Sequence, residues 1–221
     1  ILLPHDYLNF VLTGEKVMEC GDASGTGMLN VHEKQWSTEV LYAIDSGRDL
    51  SSCLPQLVVP DQFIGATTSE AAEAYGIPCG VPVSCGGGDN MMGAIGTGNV
   101  VPGVLTMSLG TSGCLYAYSD IPIVDPKGNI AAFCSSTGGW LPLVCTMNCT
   151  LSTELVRAPL GVDLGEFENI VRAAKPGCDG VTSLPFFCGE RTPNLPNARG
   201  TILGLTSENC SAPNLLRAQV E

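Results

Sequence analysis

Apolar and polar positions along this chain fall into short periods separated by glycine and proline. Residues 4–12 read as a helix that stops at Thr13 and Gly14. Trp36, Val40, Leu41 and Ile44 are spaced for one helical face, and SEAAEAY at 69–75 reads as a helix closed by Gly76. Residues 20–31 read as a polar loop leading into a short strand, and 51–60 as a proline-bounded connection. IPCGVPVSCGGG, from Ile77, reads as a buried strand running into a glycine turn. DNMMGAIGTG then opens a helix with Asp89 as its expected N-cap.

The pattern changes near residues 99–102. VLTMSLGTSGCLYAYS alternates with period two around a bend at Gly110, Thr111, Ser112 and Gly113, the pattern of a β-hairpin. Strands are expected at 131–134, 139–145 and 181–187, and helices at 150–157 and 164–174. A last helix starts at Ser211, an N-cap, with Pro213 in its first turn and Leu215, Leu216 and Val220 in period. Strands and helices in both halves, with no exact repeat, predict a mixed α/β protein with a boundary near Asn99.

Length and composition narrow the picture. The 221 residues suffice for one large domain or parts of two, and 44% hydrophobic with 14% charged residues describes a globular interior. A formal charge of −12 disfavours nucleic acid and anionic membrane as partners, although a phosphorylated small ligand needs only local donors. No apolar run is long enough for a membrane span. Eleven cysteines lack any CxxC spacing, and His5 and His32 are far apart, so no metal site is expected and the thiols read as reduced and mostly buried. The sequons at Asn148 and Asn209 read as chance matches. A start at Ile1 and an end inside a helix suggest a piece of a longer chain.

The chemistry concentrates in two glycine turns of opposite character. Gly86, Gly87 and Gly88 lead into Asp89 and Asn90, whereas the 110–113 turn carries hydroxyls and no acid. A turn of the second kind can donate N–H groups to phosphate oxygens. A carboxylate would repel a phosphate, but it can accept a proton from a hydroxyl. That pair of roles is what phosphoryl transfer to an alcohol requires. Taken singly, Asp89 can equally be a plain helix cap and the 110–113 bend a plain hairpin. No GxxxxGK[ST] is present, so a P-loop is not indicated.

Five blocks in order extend this reading: LPHDYLNFVLTG, GDASGTGMLNV, GGGDNMMGAIGTG, SLGTSG and FFCGERTPNLPNARGTILGLT. Together they resemble the FGGY family of carbohydrate kinases across essentially the whole chain, and the xylulose-phosphorylating members most. The resemblance implies an actin-like ATPase (ribonuclease-H-like) fold, with two α/β domains closing on sugar and Mg-ATP. Residues 1–99 would be the C-terminal part of the first, sugar-binding domain, and 100–221 the N-terminal part of the second, nucleotide-binding domain. It implies Asp89 as catalytic base toward D-xylulose, Asn90 as a substrate-hydroxyl partner, and Gly110, Thr111, Ser112 and Gly113 as the ATP-phosphate turn. ATP and Mg²⁺ are the expected cofactors, in a cytoplasmic enzyme with no nucleic-acid or membrane partner; a homodimer is compatible with this. Asp22 is expected to shape the first domain, and Glu190 and Arg191 to pair and fix a loop. The chain alone would be inactive, because other family phosphate, Mg²⁺ and adenosine residues lie outside it. Ribulose, gluconate or glycerol as acceptor, or a catalytically dead sugar-binding relative, are the alternatives.

Overall fold

A computed structural model describes all of residues 1–221. In chain order the elements are α1 (Pro4–Thr13), β1 (Val17–Glu19), α2 (Cys20–Ser24), β2 (Leu29–Asn30), β3 (Gln35–Trp36) and α3 (Thr38–Ile44). There follow β4 (Gln56–Val58), β5 (Phe63–Ala66), α4 (Ser69–Tyr75), β6 (Pro82–Ser84) and α5 (Asp89–Gly96). The second half contains β7 (Leu105–Leu109), β8 (Gly113–Ala117), β9 (Leu143–Thr146), α6 (Thr150–Arg157), α7 (Leu164–Ala173), β10 (Thr182–Leu184), β11 (Thr201–Leu203) and α8 (Ala212–Val220). None of the helices is long and apolar enough to cross a membrane. The chain divides into two compact units, one made of Ile1–Thr106 with Tyr116–Leu143, the other of Met107–Leu115 with Val144–Glu221.

In the first unit, β1 pairs with β4 in parallel, while β2–β3 and β5–β6 are antiparallel. Met18, Ala23, Leu29 and Cys134 form a buried cluster, against which Leu57, Trp36 and Trp140 pack. A second cluster joins Val17, Val58, Ile64 and Cys85. Full burial of a side chain such as Met18 stabilises by about 1.5–3 kcal/mol. Residues 131–140 join this unit through long-range bonds: Trp140 Nε1 donates to Val31 O at 2.7 Å, and Cys134 N to Ser24 Oγ at 3.0 Å. Asn99 is fully buried and fully used. Its Nδ2 donates to Thr106 Oγ1 and Tyr116 O at 3.1 and 2.9 Å, and its Oδ1 accepts from Tyr118 N at 2.9 Å.

β7, β8 and β9 form one sheet in that order. In the second unit, β10 pairs antiparallel with β11, and α8 packs on α6 and α7. Glu190 is its polar centre, 3% exposed. It accepts from Thr146 Oγ1 at 2.6 Å, Met147 N at 2.9 Å, Asn148 Nδ2 at 3.1 Å and Arg191 N at 2.7 Å. Burial pushes its carboxyl up, but these donors outweigh burial and bring it down to about 2. The expected Glu190–Arg191 side-chain pair is therefore replaced by a backbone bond: Arg191 contributes its N–H and not its guanidinium. The side-chain amides of Asn148 and Asn209 are likewise engaged, with Asn148 Nδ2 on Gly189 O and Asn209 Nδ2 on Gly204 O, and both residues are buried. Neither sequon presents an asparagine for glycosylation.

Several local expectations hold. The hairpin, the helices at α1, α4, α6 and α7, and Ser211 as the cap of α8 all appear, with Ser211 Oγ accepting from Asn214 N. Others differ for tertiary reasons. The expected loop after Cys20 opens with a helical turn, because the Glu19 side chain caps Gly21 N. The proline-bounded connection contains β4, which is drawn into extended form by pairing with β1. The strand expected to be buried before the glycine turn, β6, is mostly exposed, since it pairs only with β5. At 131–134 only isolated bridges form. All eleven cysteines are free thiols, but only Cys85, Cys134 and Cys178 are buried, so "mostly buried" does not hold.

Two outcomes follow. Asn99→Ala leaves the Tyr118 N–H and its neighbours without partners in the interior, and is expected to lower unfolding stability by about 3 kcal/mol, read from a urea titration. Glu190 has a depressed pKa in the folded state. It therefore contributes stability above about 4.5 that is lost as pH falls toward about 2. Glu190→Gln is expected to be less stable at neutral pH and to show a flatter acid limb over that interval, measured by thermal unfolding at stepped pH.

Candidate active site

The 86–88 turn joins β6 to α5. Gly86 sits at φ +70°, a left-handed conformation that a side chain would strain, and His5 lies where its Cβ would point, Cδ2 3.4 Å away. A Cβ at Gly87 would stand 2.7 Å from Ser136 Oγ, and one at Gly88 3.1 Å from Asp22 Oδ1. The turn is thus pressed against side chains from α1, α2 and residue 136, all in the first unit. Asn9 Nδ2 anchors its start, donating to Cys85 O at 2.7 Å. Burial lifts the Cys85 thiol to about 11, and its Sγ donates to Pro60 O at 3.0 Å.

Asp89 emerges from this turn. The N-cap of α5 is Gly88, so Asp89 is the first helical residue rather than the cap expected from the sequence. Its Oδ1 accepts from Asn90 N at 2.7 Å, while Oδ2 takes no bond from the chain. Asp89 is exposed and Asn90 half-buried. A carboxylate with one oxygen fixed and the other facing outward can accept a proton from a bound hydroxyl.

Behind the turn is a polar cluster that sequence reasoning did not assemble. His5 Nδ1 lies 2.9 Å from Asp22 Oδ2, and His5 Nε2 lies 3.1 Å from Asp6 Oδ1. Asp6 is fully buried, and its other oxygen accepts from Leu3 N at 3.1 Å, which caps α1. Glu19 is also fully buried, bonded by Gly21 N at 2.7 and 2.6 Å and by Ser136 Oγ at 2.5 Å. The hydrogen bond to Asp22 raises the His5 pKa against the opposing effect of burial, and Asp6 and Glu19 are both raised by burial. The signals were the adjacent His5 and Asp6 and the DASG block, but nothing local says that they meet.

His5, Asp6 and Asp22 are also the one group whose metal-ligating atoms lie within 4.8 Å of one another. They do not fit Mg²⁺, which asks for an octahedron of oxygens and retained waters. The imidazole stands between the two carboxylates and offers each a different nitrogen, so the position of a cation is taken by the ring itself.

The 110–113 turn belongs to the second unit. Its carbonyls are taken: Gly110 O accepts from Thr150 N and Thr150 Oγ1 at 3.0 and 2.8 Å, and Thr111 O from Cys149 N at 3.1 Å. The N–H groups of Thr111 and Ser112 donate to no atom of the chain, and both residues are exposed. A Cβ at Gly113 would stand 3.1 Å from Cys149 Cβ, so the turn lies close against the start of α6. Occupied carbonyls and free N–H groups suit an anion.

Residues 1–96 match the FGGY family of carbohydrate kinases, N-terminal domain. The whole chain is similar to a xylulose kinase from Haemophilus influenzae, 49% identical over 221 residues, which cover 45% of that protein. Among solved structures it is similar to the xylulose kinase of Bifidobacterium adolescentis, with a TM-score of 0.83 at 32% identity over 99% of this chain and 47% of that one. It is also similar to a gluconate kinase from Lactobacillus acidophilus, with a TM-score of 0.88 at 26% identity over 98% of this chain and 44% of that one. The chain spans about half the length of these relatives. The ordered blocks, the matched domain and the shared actin-like ATPase architecture together place the chain in the FGGY family of carbohydrate kinases.

Proposed function

We propose that this chain is the central part of an ATP-dependent kinase that phosphorylates D-xylulose to D-xylulose 5-phosphate, with Asp89 as the catalytic base. The observation that carries the proposal is the Asp89 carboxylate, fixed through Oδ1 and open through Oδ2 at the end of a turn with three glycines. Such a turn lets a sugar approach the backbone closely. Oδ2 would accept the proton of the terminal hydroxyl as its oxygen attacks the γ-phosphate. A carboxylate is a far weaker base than an alkoxide, so the proton moves late and much of the benefit is orientation. Asn90 would hold a second substrate hydroxyl.

Gly110, Thr111, Ser112 and Gly113 would hold the ATP phosphates through the free N–H groups of Thr111 and Ser112 and their hydroxyls. Mg²⁺ would come with the nucleotide, to neutralise phosphate charge; no residue of the polar cluster is assigned to it. In this reading residues 1–99 are the end of the first FGGY domain and 100–221 the start of the second, in keeping with the domain match that ends at residue 96. The enzyme would work in the cytoplasm, where eleven free thiols stay reduced.

Three outcomes check this reading. Asp89→Asn in the full-length protein is expected to lower kcat by about 10²–10⁴-fold and to leave the unfolding midpoint nearly unchanged. A variant with normal turnover would return Asp89 to a structural role. The 221-residue chain alone is expected to phosphorylate nothing, and ATP-dependent formation of D-xylulose 5-phosphate by it would contradict that. Because a gluconate kinase shares the architecture, D-gluconate assayed beside D-xylulose decides the acceptor by the ratio of kcat/KM.

A further inference from the structure

We infer that protonated His5 is a positioning residue for Asp89: bridging Asp6 and Asp22 behind the 86–88 turn, it fixes the turn from which the carboxylate projects. The inference rests on reading Asp89 as the base. It starts from where His5 and Asp22 stand within the first unit. Both ring nitrogens of His5 face carboxylate oxygens, at 2.9 Å for Asp22 and 3.1 Å for Asp6. The ring edge lies 3.4 Å from where a Cβ of Gly86 would stand, and the second oxygen of Asp22 lies 3.1 Å from where one of Gly88 would stand. The His5–Asp22 pair therefore fills the space on the Cβ side of both ends of the triplet that delivers Asp89.

A neutral imidazole has one N–H and could satisfy only one of the two carboxylates. Asp6 Oδ1 and His5 Nε2 are buried, take no hydrogen bond, and stand 3.1 Å apart as an ion pair, so loss of the proton would leave a buried carboxylate without an opposite charge beside it. The ionisable groups that act on the ring are Asp6 on α1, Glu19 at the end of β1 and Asp22 on α2; the Cys85 thiol, which precedes Gly86, is the other ionisable group beside the turn. The three carboxyl groups all favour the imidazolium. Cys85 stays protonated at neutral pH and adds no charge. Because the folded-state pKa of His5 is raised above 6.5, the bridge is complete below 6.5 and is lost as pH rises through the folded-state value.

The consequence is a catalytic limb on the alkaline side that belongs neither to Asp89 nor to substrate. In the full-length protein the His5 imidazole signal is assigned by its loss in His5→Gln and then followed in an NMR titration. We expect His5 to titrate above 6.5, and the backbone amides of residues 86–90 to shift with the same midpoint. In the full-length kinase, kcat should fall through that midpoint with KM little changed. His5→Lys keeps a cation through this range and should retain turnover without the limb. His5→Gln should lose about tenfold or more in kcat through misplacement of the base, and an amide spectrum shows whether it still folds. Amides of 86–90 that stay still while His5 titrates overturn the inference, as does an alkaline limb that survives in His5→Lys. The NMR arm needs no catalysis, so a failure of Asp89 as base, seen as normal turnover in Asp89→Asn, is distinguishable from a failure of His5 as its support.

Discussion

The first unit depends on a buried polar problem solved by an imidazole. Asp6 and Glu19 are both fully out of solvent, and Asp22 stands beside them. Three acids so close would repel one another and resist burial. Each has an identifiable partner: His5 for Asp6 and Asp22, and the Gly21 N–H with the Ser136 hydroxyl for Glu19. α1, α2 and residue 136 are held together by these bonds. The glycine turn has no side chains of its own, and it takes its shape from this surface.

The second unit repeats the principle with a different group. Glu190 accepts from the three consecutive residues Thr146, Met147 and Asn148 and from Arg191 N, and so bridges Thr146–Asn148 to the 190–192 segment. Cys149 and Thr150, next in sequence, hold the carbonyls of Gly110 and Thr111. One buried carboxylate thereby anchors the segment that fixes the proposed phosphate turn. In each unit, exposed residues with free polar groups rest on a buried carboxylate: Glu190 with its oxygens hydrogen-bonded, and Asp6 with one oxygen on Leu3 N and the other facing the His5 ring.

The sequence made the helices legible wherever a cap stood beside a period. Gly76 closes α4, and Ser211 starts α8. The Asp89 turn and the 110–113 turn were legible as chemistry, because an acid and a hydroxyl pair after glycines point to different partners. β4 was not legible, since a three-residue strand has no period of its own and exists through β1. Residues 131–140 gave no local sign that they return to Met18 and Trp36.

By itself, the order of residues determined the short-range features: which segments coil, where they stop, and which side chains sit next to a flexible turn. Those depend on contacts within a few positions, which a single sequence displays. Only the tertiary structure decided that Asp89 is not the cap of its helix, that His5 and Asp22 meet, and that Glu190 is held by the Thr146 hydroxyl, the Asn148 amide and backbone N–H groups rather than by the Arg191 guanidinium. These depend on pairs as far apart as Glu19 and Ser136, 117 residues along the chain. Burial makes such pairs matter, because an acid taken out of water must find its donors wherever the fold brings them.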